Sequence, residues 1–297
     1  MLRAKLLSFA PPRNPSPMIY ILLAVAFSVT VSVLLKLARR ANIDIVQAVA
    51  TNYIVAAGLA VWLLGATPQA ALESDARTPL ILLGILLPAI FVMLARSVSS
   101  AGIVRTDVAQ RLSLFLSLAA AFLLFGEPLV ALKILGIVLA VVAVACILWR
   151  KERVERAGWL APLAVFAGFG AIDICFKLIA QAHAPFPSAL LASFLIALVL
   201  CWVAVIVRAV TRQALLSLRS IGFGVVLGAA NFANILFYIR GHQALPNDPS
   251  LVFASMNLGV VLLGALTGAL AFREKLSWLN WAGLAVAVAA IGVMTIA

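Results

Sequence analysis

Between Ala119 and Leu148 the chain reads AAAFLLFGEPLVALKILGIVLAVVAVACIL, two apolar runs hinged on Phe125-Gly-Glu-Pro128. Glycine and proline punctuate structure, so the four hinge residues mark a turn and the flanking runs are separate elements. A helix needs about 20 mostly apolar residues to cross about 30 Å of hydrocarbon, and spans fit here at 103–125 and 129–149. Working outward, further spans fit at 18–38, 45–65, 79–97, 159–180, 187–208, 221–240, 249–271 and 276–296. Breaks between them carry the same punctuation: Pro68 and Pro79, Pro185 and Pro187, Pro246 and Pro249, and the basic stretch Arg150–Arg156. In lipid every backbone amide must bond within its own segment, and a β-barrel would show ten-residue alternation instead. The sequence therefore predicts an all-α integral membrane protein with ten transmembrane helices.

Composition agrees. Of 297 residues, 65% are hydrophobic and 11% charged, against about 45–50% and about 25% in a soluble domain. The net charge of +12 lies mostly between apolar runs, where membrane proteins carry it, so nucleic acid is not an expected partner. Cys146, Cys175 and Cys201 stand singly in apolar stretches, without a CxxC or a Cys/His cluster; no metal site or disulfide framework is indicated. His183 and His242 read as loop residues. No catalytic triad, P-loop or dinucleotide fingerprint is present, so neither a cofactor nor an enzymatic centre is expected. Met1–Pro17 is a basic, proline-rich tail before a retained first helix rather than a cleaved signal, with Met18 as an alternative start.

The halves match each other. A shift of 141 puts Lys36 on Lys177; 144 puts Gly84 on Gly228 and Arg96 on Arg240; 147 puts Phe125-Gly-Glu127-Pro-Leu129 on Phe272-Arg-Glu274-Lys-Leu276 and Gly136 on Gly283. Charges recurring at one depth are informative because burying them is costly. Five spans per half is an odd number, so the copies must be inverted, as in several secondary transporters. The expected organisation is a tail over 1–17, five-helix repeats over 18–149 and 159–297, and a basic linker over 150–158.

These residues resemble the EamA family of the drug/metabolite transporter superfamily. The likeness rests on the paired junctions Leu-Leu-Phe-Gly-Glu127-Pro-Leu…Gly136 and Leu-Ala-Phe-Arg-Glu274-Lys-Leu…Gly283, and on Lys36 and Lys177 closing the first span of each half. Two departures stand out: Leu116 and Leu263 lie near where the family carries a proline, and the second junction reads Arg-Glu. The resemblance implies that the first four spans of each half line a central cavity, with the fifth and tenth outside.

Ionisable residues inside spans are the functional default. Asp173 and Lys177 are spaced i,i+4, as are Asp107 and Arg111 with Gln110 beside them; each pair is either an internal ion pair that aids insertion or a substrate or proton site. Lys36 has Ser32 where its repeat partner has Asp173, so it faces no local carboxylate, although a snorkelling role at the span end also fits. Arg96 and Arg240 end the third and eighth spans symmetrically, as solvated ends or as gating clamps on an anion. Glu127 and Glu274 at the short turns read as structural, capping a helix or pairing with a cation. Asn52, Asn231, Asn234 and Asn257 suggest a polar pathway, while Gly264 and Gly268 permit close packing. Lys36, Lys177 and Arg111 outnumber Asp107 and Asp173, so the expected solute carries a carboxylate or phosphate, with the two aspartates as proton carriers.

The expectation is a secondary transporter, an exporter of a small anionic or zwitterionic metabolite such as an amino acid, in the cell (inner) membrane, as monomer or homodimer. A flippase or exporter of lipid-carrier or drug-like substrates is the alternative within transport. A membrane enzyme acting on a lipid is the alternative outside it; that class calls for clustered His, Asp or Glu near one interface, and the ten acidic residues form no such cluster.

Orientation divides two arguments. Loops after odd-numbered spans carry twelve basic residues (Arg39, Arg40, Arg105, Arg150, Lys151, Arg153, Arg156, Arg208, Arg212, Arg219, Arg273, Lys275), against four (Arg3, Lys5, Arg13, Arg77) in the N-terminus and the loops after even spans. The positive-inside rule puts the twelve in the cytoplasm and both termini outside, whereas the resembled family generally has both termini inside. Following the chain's own bias, a cysteine introduced at Arg153 should react with an impermeant maleimide only after the cells are permeabilised; labelling of intact cells reverses the assignment.

Overall fold

The computed structural model describes residues 16–67, 77–101, 103–148, 160–182, 186–213, 215–272 and 277–296. They form helices with no strand among the described residues: α1 (Pro17–Arg40), α2 (Ile45–Leu64), α3 (Arg77–Ala101), α4 (Ile103–Leu123), α5 (Ala131–Leu148), α6 (Leu160–Gln181), α7 (Phe186–Val210), α8 (Leu218–Ala244), α9 (Pro249–Phe272) and α10 (Trp278–Thr295). The basic linker 150–158, His183, Glu274 and nearly all of the N-terminal tail lie outside the described residues, as do the side chains of Lys36 and Asp107.

Helix boundaries follow local chemistry. Pro17 opens α1, a position where its missing N–H costs nothing. Asp44 caps α2 by accepting from the backbone N–H groups of Val46 and Gln47, and Gly65 ends that helix at φ 63°, a left-handed conformation that glycine adopts without Cβ strain. Ser277 and Asn280 close a reciprocal capping box on α10.

Eight of these helices are long and apolar enough to cross a membrane; in α4 and α5 the apolar stretch shortens to Ala109–Leu123 and Ala131–Cys146. Ten helices are thus present among the described residues, and eight of them meet both the length and the composition criteria. The physical reason in α4 is its first turns, where Arg105, Asp107 and Arg111 interrupt the run. Elsewhere the surface is the kind lipid wets: Leu22, Trp62, Leu135, Val203, Val226 and Val288 are all exposed, more apolar surface than water tolerates on a soluble protein.

Two compact units result, and each takes helices from both sequence halves. One holds α1, α2, the start of α3 to Ile85, α7 and α8; the other holds the rest of α3, α4, α5, α6 to Leu178, α9 and α10. The division of α3 falls beside Pro88, whose ring removes the helical hydrogen bond to the Gly84 carbonyl.

Within the first unit, glycines set the helix crossings. A Cβ on Gly224 would lie 2.6 Å from the Ala48 carbonyl oxygen, and one on Gly228 would lie 2.8 Å from that of Asn52, so α8 runs parallel to α2 at backbone contact. The joint of α3 with α7 repeats this: a Cβ on Gly84 would lie 3.0 Å from the Ser193 carbonyl oxygen and 2.7 Å from Ile196 Cβ, while Ser193 Oγ donates to Leu80 O at 3.0 Å. In the second unit α6 runs parallel to α4, with Gly170 against Leu116 and Ser117 Oγ donating to Asp173 at 2.7 Å. There α10 is antiparallel to α5, with Gly136 against Met294 and Asn280 Nδ2 donating to Cys146 O at 3.0 Å. Lipid supplies little hydrophobic drive between helices, so close small-residue crossings and interhelical hydrogen bonds hold the bundle.

Gly228→Ala should therefore overpack its crossing and cost about 1–3 kcal/mol, lowering the thermal unfolding midpoint in detergent. Gly58→Ala, at a position with nothing within 4 Å of the added Cβ, should leave the midpoint unchanged or slightly raised; equal effects of the two would refute the packing role.

Candidate functional site

Among the described residues, the strongest concentration of buried charge lies in the second unit, at the end where α4 turns into α5 and α9 begins. Glu127, from the Gly-Glu-Pro turn, has a fully buried side chain. Its carboxylate accepts from Lys133 Nζ at 2.7 Å, from the backbone N–H of Ser250 at 2.8 Å, and from Ser250 Oγ. Ser250 stands in the first turn of α9, where backbone N–H groups lack helical partners and the helix dipole favours an anion. Glu127 thus caps α9 and pairs with a cation, both of the structural roles that the sequence offered for it.

Lys133 bridges two carboxylates, donating also to Asp248 Oδ1 at 2.8 Å from the α8–α9 turn. A lone ammonium at this depth costs several kcal/mol to desolvate, and here two acceptors offset that cost.

Lys177 belongs to the same cluster. It is among the largest fully buried side chains, at 0% exposure. Its Nζ donates to the Pro246 carbonyl at 2.8 Å and stands 5.9 Å from the Phe125 ring centroid, within cation–π range. The i,i+4 pairing with Asp173 is replaced: Lys177 turns to the α8–α9 loop, and Asp173 Oδ2 accepts from Ser117 instead. A lysine near a helix end has a stem long enough to choose a carbonyl beyond the helix over a carboxylate one turn back. An ammonium has three N–H donors, and among the described residues Lys177 uses one of them on an oxygen.

The count of cations against carboxylates changes accordingly. Glu127 and Asp248 both act electrostatically on Lys177, so the cluster of Lys133, Lys177, Glu127 and Asp248 is formally neutral rather than cationic.

Other expected site residues scatter. Arg111 is half-buried on α4, and Arg96 and Arg240 are exposed. Asn257 Nδ2 bonds back to Phe253 O of its own helix at 3.0 Å, and Asn234 Nδ2 ties α8 to α1 at Ala24 O, 2.8 Å; Asn231 is half-buried on α8. Asn52 is different. It is 1% exposed, and neither amide atom has a hydrogen-bond partner among the described residues, an arrangement that costs about 1–3 kcal/mol. His242, expected in a loop, is buried in the last turn of α8 with its ring 4.9 Å from that of Tyr238. No cluster able to hold a metal ion occurs among the described residues.

Lys133, Asp248 and Ser250 were not singled out from the sequence. A lysine four residues into the apolar run that begins at Leu129 was a usable signal for the first. Nothing local marks Asp248, 115 positions from Lys133, as its partner.

Removing Glu127 leaves the buried Lys133 with Asp248 as its one carboxylate and uncaps α9. Glu127→Ala should cost about 3–5 kcal/mol, read as a lowered unfolding midpoint of the purified protein. The double substitution Glu127→Leu with Lys133→Leu should recover much of that loss; an unchanged midpoint in the single variant contradicts the structural assignment.

The sequence model described as the EamA-like transporter family matches residues 15–149. An uncharacterized protein of Haemophilus influenzae is 43% identical over 281 residues, covering 91% of this chain and 95% of that protein. A protein of known crystal structure shares the fold with a TM-score of 0.72, covering 95% of this chain and 96% of its own, at 17% identity.

Proposed function

Since the chain belongs to the EamA-like transporter family, part of the drug/metabolite transporter superfamily, we propose that it is a secondary transporter, exporting a small zwitterionic or anionic metabolite such as an amino acid by alternating access. It works in the cell (inner) membrane as ten crossings in two inverted five-helix repeats. The directions of the helix pairs support ten crossings: α2 with α8, α3 with α7 and α4 with α6 are parallel, and α5 with α10 is antiparallel, as single passes in succession require. Because α4 and α5 obey the same alternation as their longer neighbours, their charged ends do not argue against a crossing. The repeated joint, Gly84 on Ser193 and Ile196 against Gly228 on Asn52 and Val55, supports the repeat.

Lys177 carries the substrate reading. It is a fully buried ammonium with a single carbonyl acceptor among the described residues, which leaves N–H groups to receive a carboxylate. The neutral cluster around it favours a zwitterion within the expected class, because an ammonium on the solute can meet Asp248, whose side chain is 41% exposed, while the carboxylate meets Lys177. Asp173, half-buried and held by Ser117, is the proton carrier of this scheme. Nothing in the sequence resembles an ATP-binding motif, so the driving force is a gradient or exchange.

Lys177→Met should abolish counterflow of amino or organic acids in proteoliposomes by at least about tenfold, the scale of one lost charged hydrogen bond, while the purified variant still unfolds cooperatively. Counterflow at the wild-type rate in that variant removes Lys177 from the substrate site.

A further inference from the structure

The two glycine joints of the first unit are copies of one another. Gly228 meets Asn52 and Val55, and Gly84 meets Ser193 and Ile196; the offsets are 228 − 84 = 144, 193 − 52 = 141 and 196 − 55 = 141. In each joint a Cβ on the glycine would touch the carbonyl oxygen of the first residue and Cβ of the second. What differs is the side chain at the first position. Ser193 spends its hydroxyl on Leu80 O and Ala189 O, and so completes its copy. The position matching Leu80 is Gly224 (80 + 144), whose carbonyl is equally a backbone acceptor. Asn52 does not use it: both amide atoms are buried and unpartnered.

We propose that Asn52 is a solute-binding position that recognises a neutral group presenting a donor and an acceptor side by side, a primary carboxamide or an imide edge. The proposal rests on the transport reading. A carboxamide carries two N–H donors and an acceptor oxygen in one plane, and a second amide or imide edge satisfies both ends at once. A carboxylate would satisfy only Nδ2 and set its other oxygen against Oδ1; an ammonium would satisfy only Oδ1. A structural role at this joint needs only a hydroxyl, as Ser193 demonstrates, so packing does not account for the amide. Its atoms are sealed from solvent in this conformation, and a solute reaches them in another conformation of the cycle, which alternating access supplies.

The test uses the purified full-length chain in detergent and three probes with this edge: L-glutamine, nicotinamide and uracil. L-glutamate and nicotinate serve as matched acids without it. At millimolar concentration at least one amide or imide probe should raise the unfolding midpoint of the wild type by about 2 °C or more, since a ligand stabilises the state it binds, and its matched acid should not. Asn52→Ser should start from a higher midpoint and show no response; Ser193→Ala should keep the response. A response that survives in Asn52→Ser, or the absence of one to all three probes, overturns the proposal. Counterflow dependent on Lys177 but indifferent to Asn52→Ser would sink this inference alone; a probe response without any counterflow would instead sink the transport reading.

Discussion

A charge surrounded by hydrocarbon is met by the protein or not at all, because lipid offers no hydrogen bonds. Glu127 is met three times, by Lys133 and twice by Ser250, and much of the second unit follows from that. The α4–α5 turn is fixed to the start of α9, and Lys133 carries the connection to Asp248 in the preceding turn. Lys177 then binds the same loop at Pro246 and faces Phe125, two residues before Glu127. Four formal charges thus hold three chain segments with no net charge between them. Buried ion pairs of this kind contribute little net stability over apolar replacements of equal volume, so their value lies in specifying which helix ends meet.

The first unit reaches the same end with fewer charges. Asp44 caps α2, accepts from Arg208 at 3.0 Å, and offers its backbone N–H to Ser220, while Gln47 exchanges hydrogen bonds with the backbone at Leu215 and Ser217. Both partners lie in the α7–α8 connection, so this corner is tied much as Glu127 ties the other. Between the tied ends, packing depends on backbone approach. Gly224 and Gly228 bring α8 against α2, and Tyr53, Phe194 and Phe232 fill the space beyond with tilted rings 6.4 Å apart.

The fold was largely readable from sequence because its signal is one-dimensional. Apolar length, proline and glycine breaks, and the Glu127 junction each sit within about 20 residues of chain, the scale a crossing requires. Gly84 and Gly228, matched in the sequence at an offset of 144, each make a backbone-close crossing in the structure. The site was less readable, since its pairs are distant in sequence. Asp173 and Lys177 looked like partners by helical spacing, yet Lys177 bonds a carbonyl 69 positions away and Asp173 a serine 56 positions away. Four asparagines looked alike in sequence, but Asn234 and Asn257 are consumed by backbone carbonyls and Asn52 is not. Spacing along one helix reports which side chains share a face; it is silent on what the next helix brings to that face.

That difference also separates structural polar groups from candidate functional ones. A side chain whose hydrogen bonds are complete has nothing left for a solute, however conspicuous its charge: Glu127 and Lys133 are of this kind. A buried group with capacity in reserve is costly to the folded state and is compensated only where a ligand or a moving element supplies the missing partner. Among the described residues, Lys177, with one oxygen acceptor for three donors, and Asn52, with none for its amide, are of that kind. On the transport proposal, incompleteness is the source of specificity, because the solute finishes the hydrogen bonding that the helices leave open.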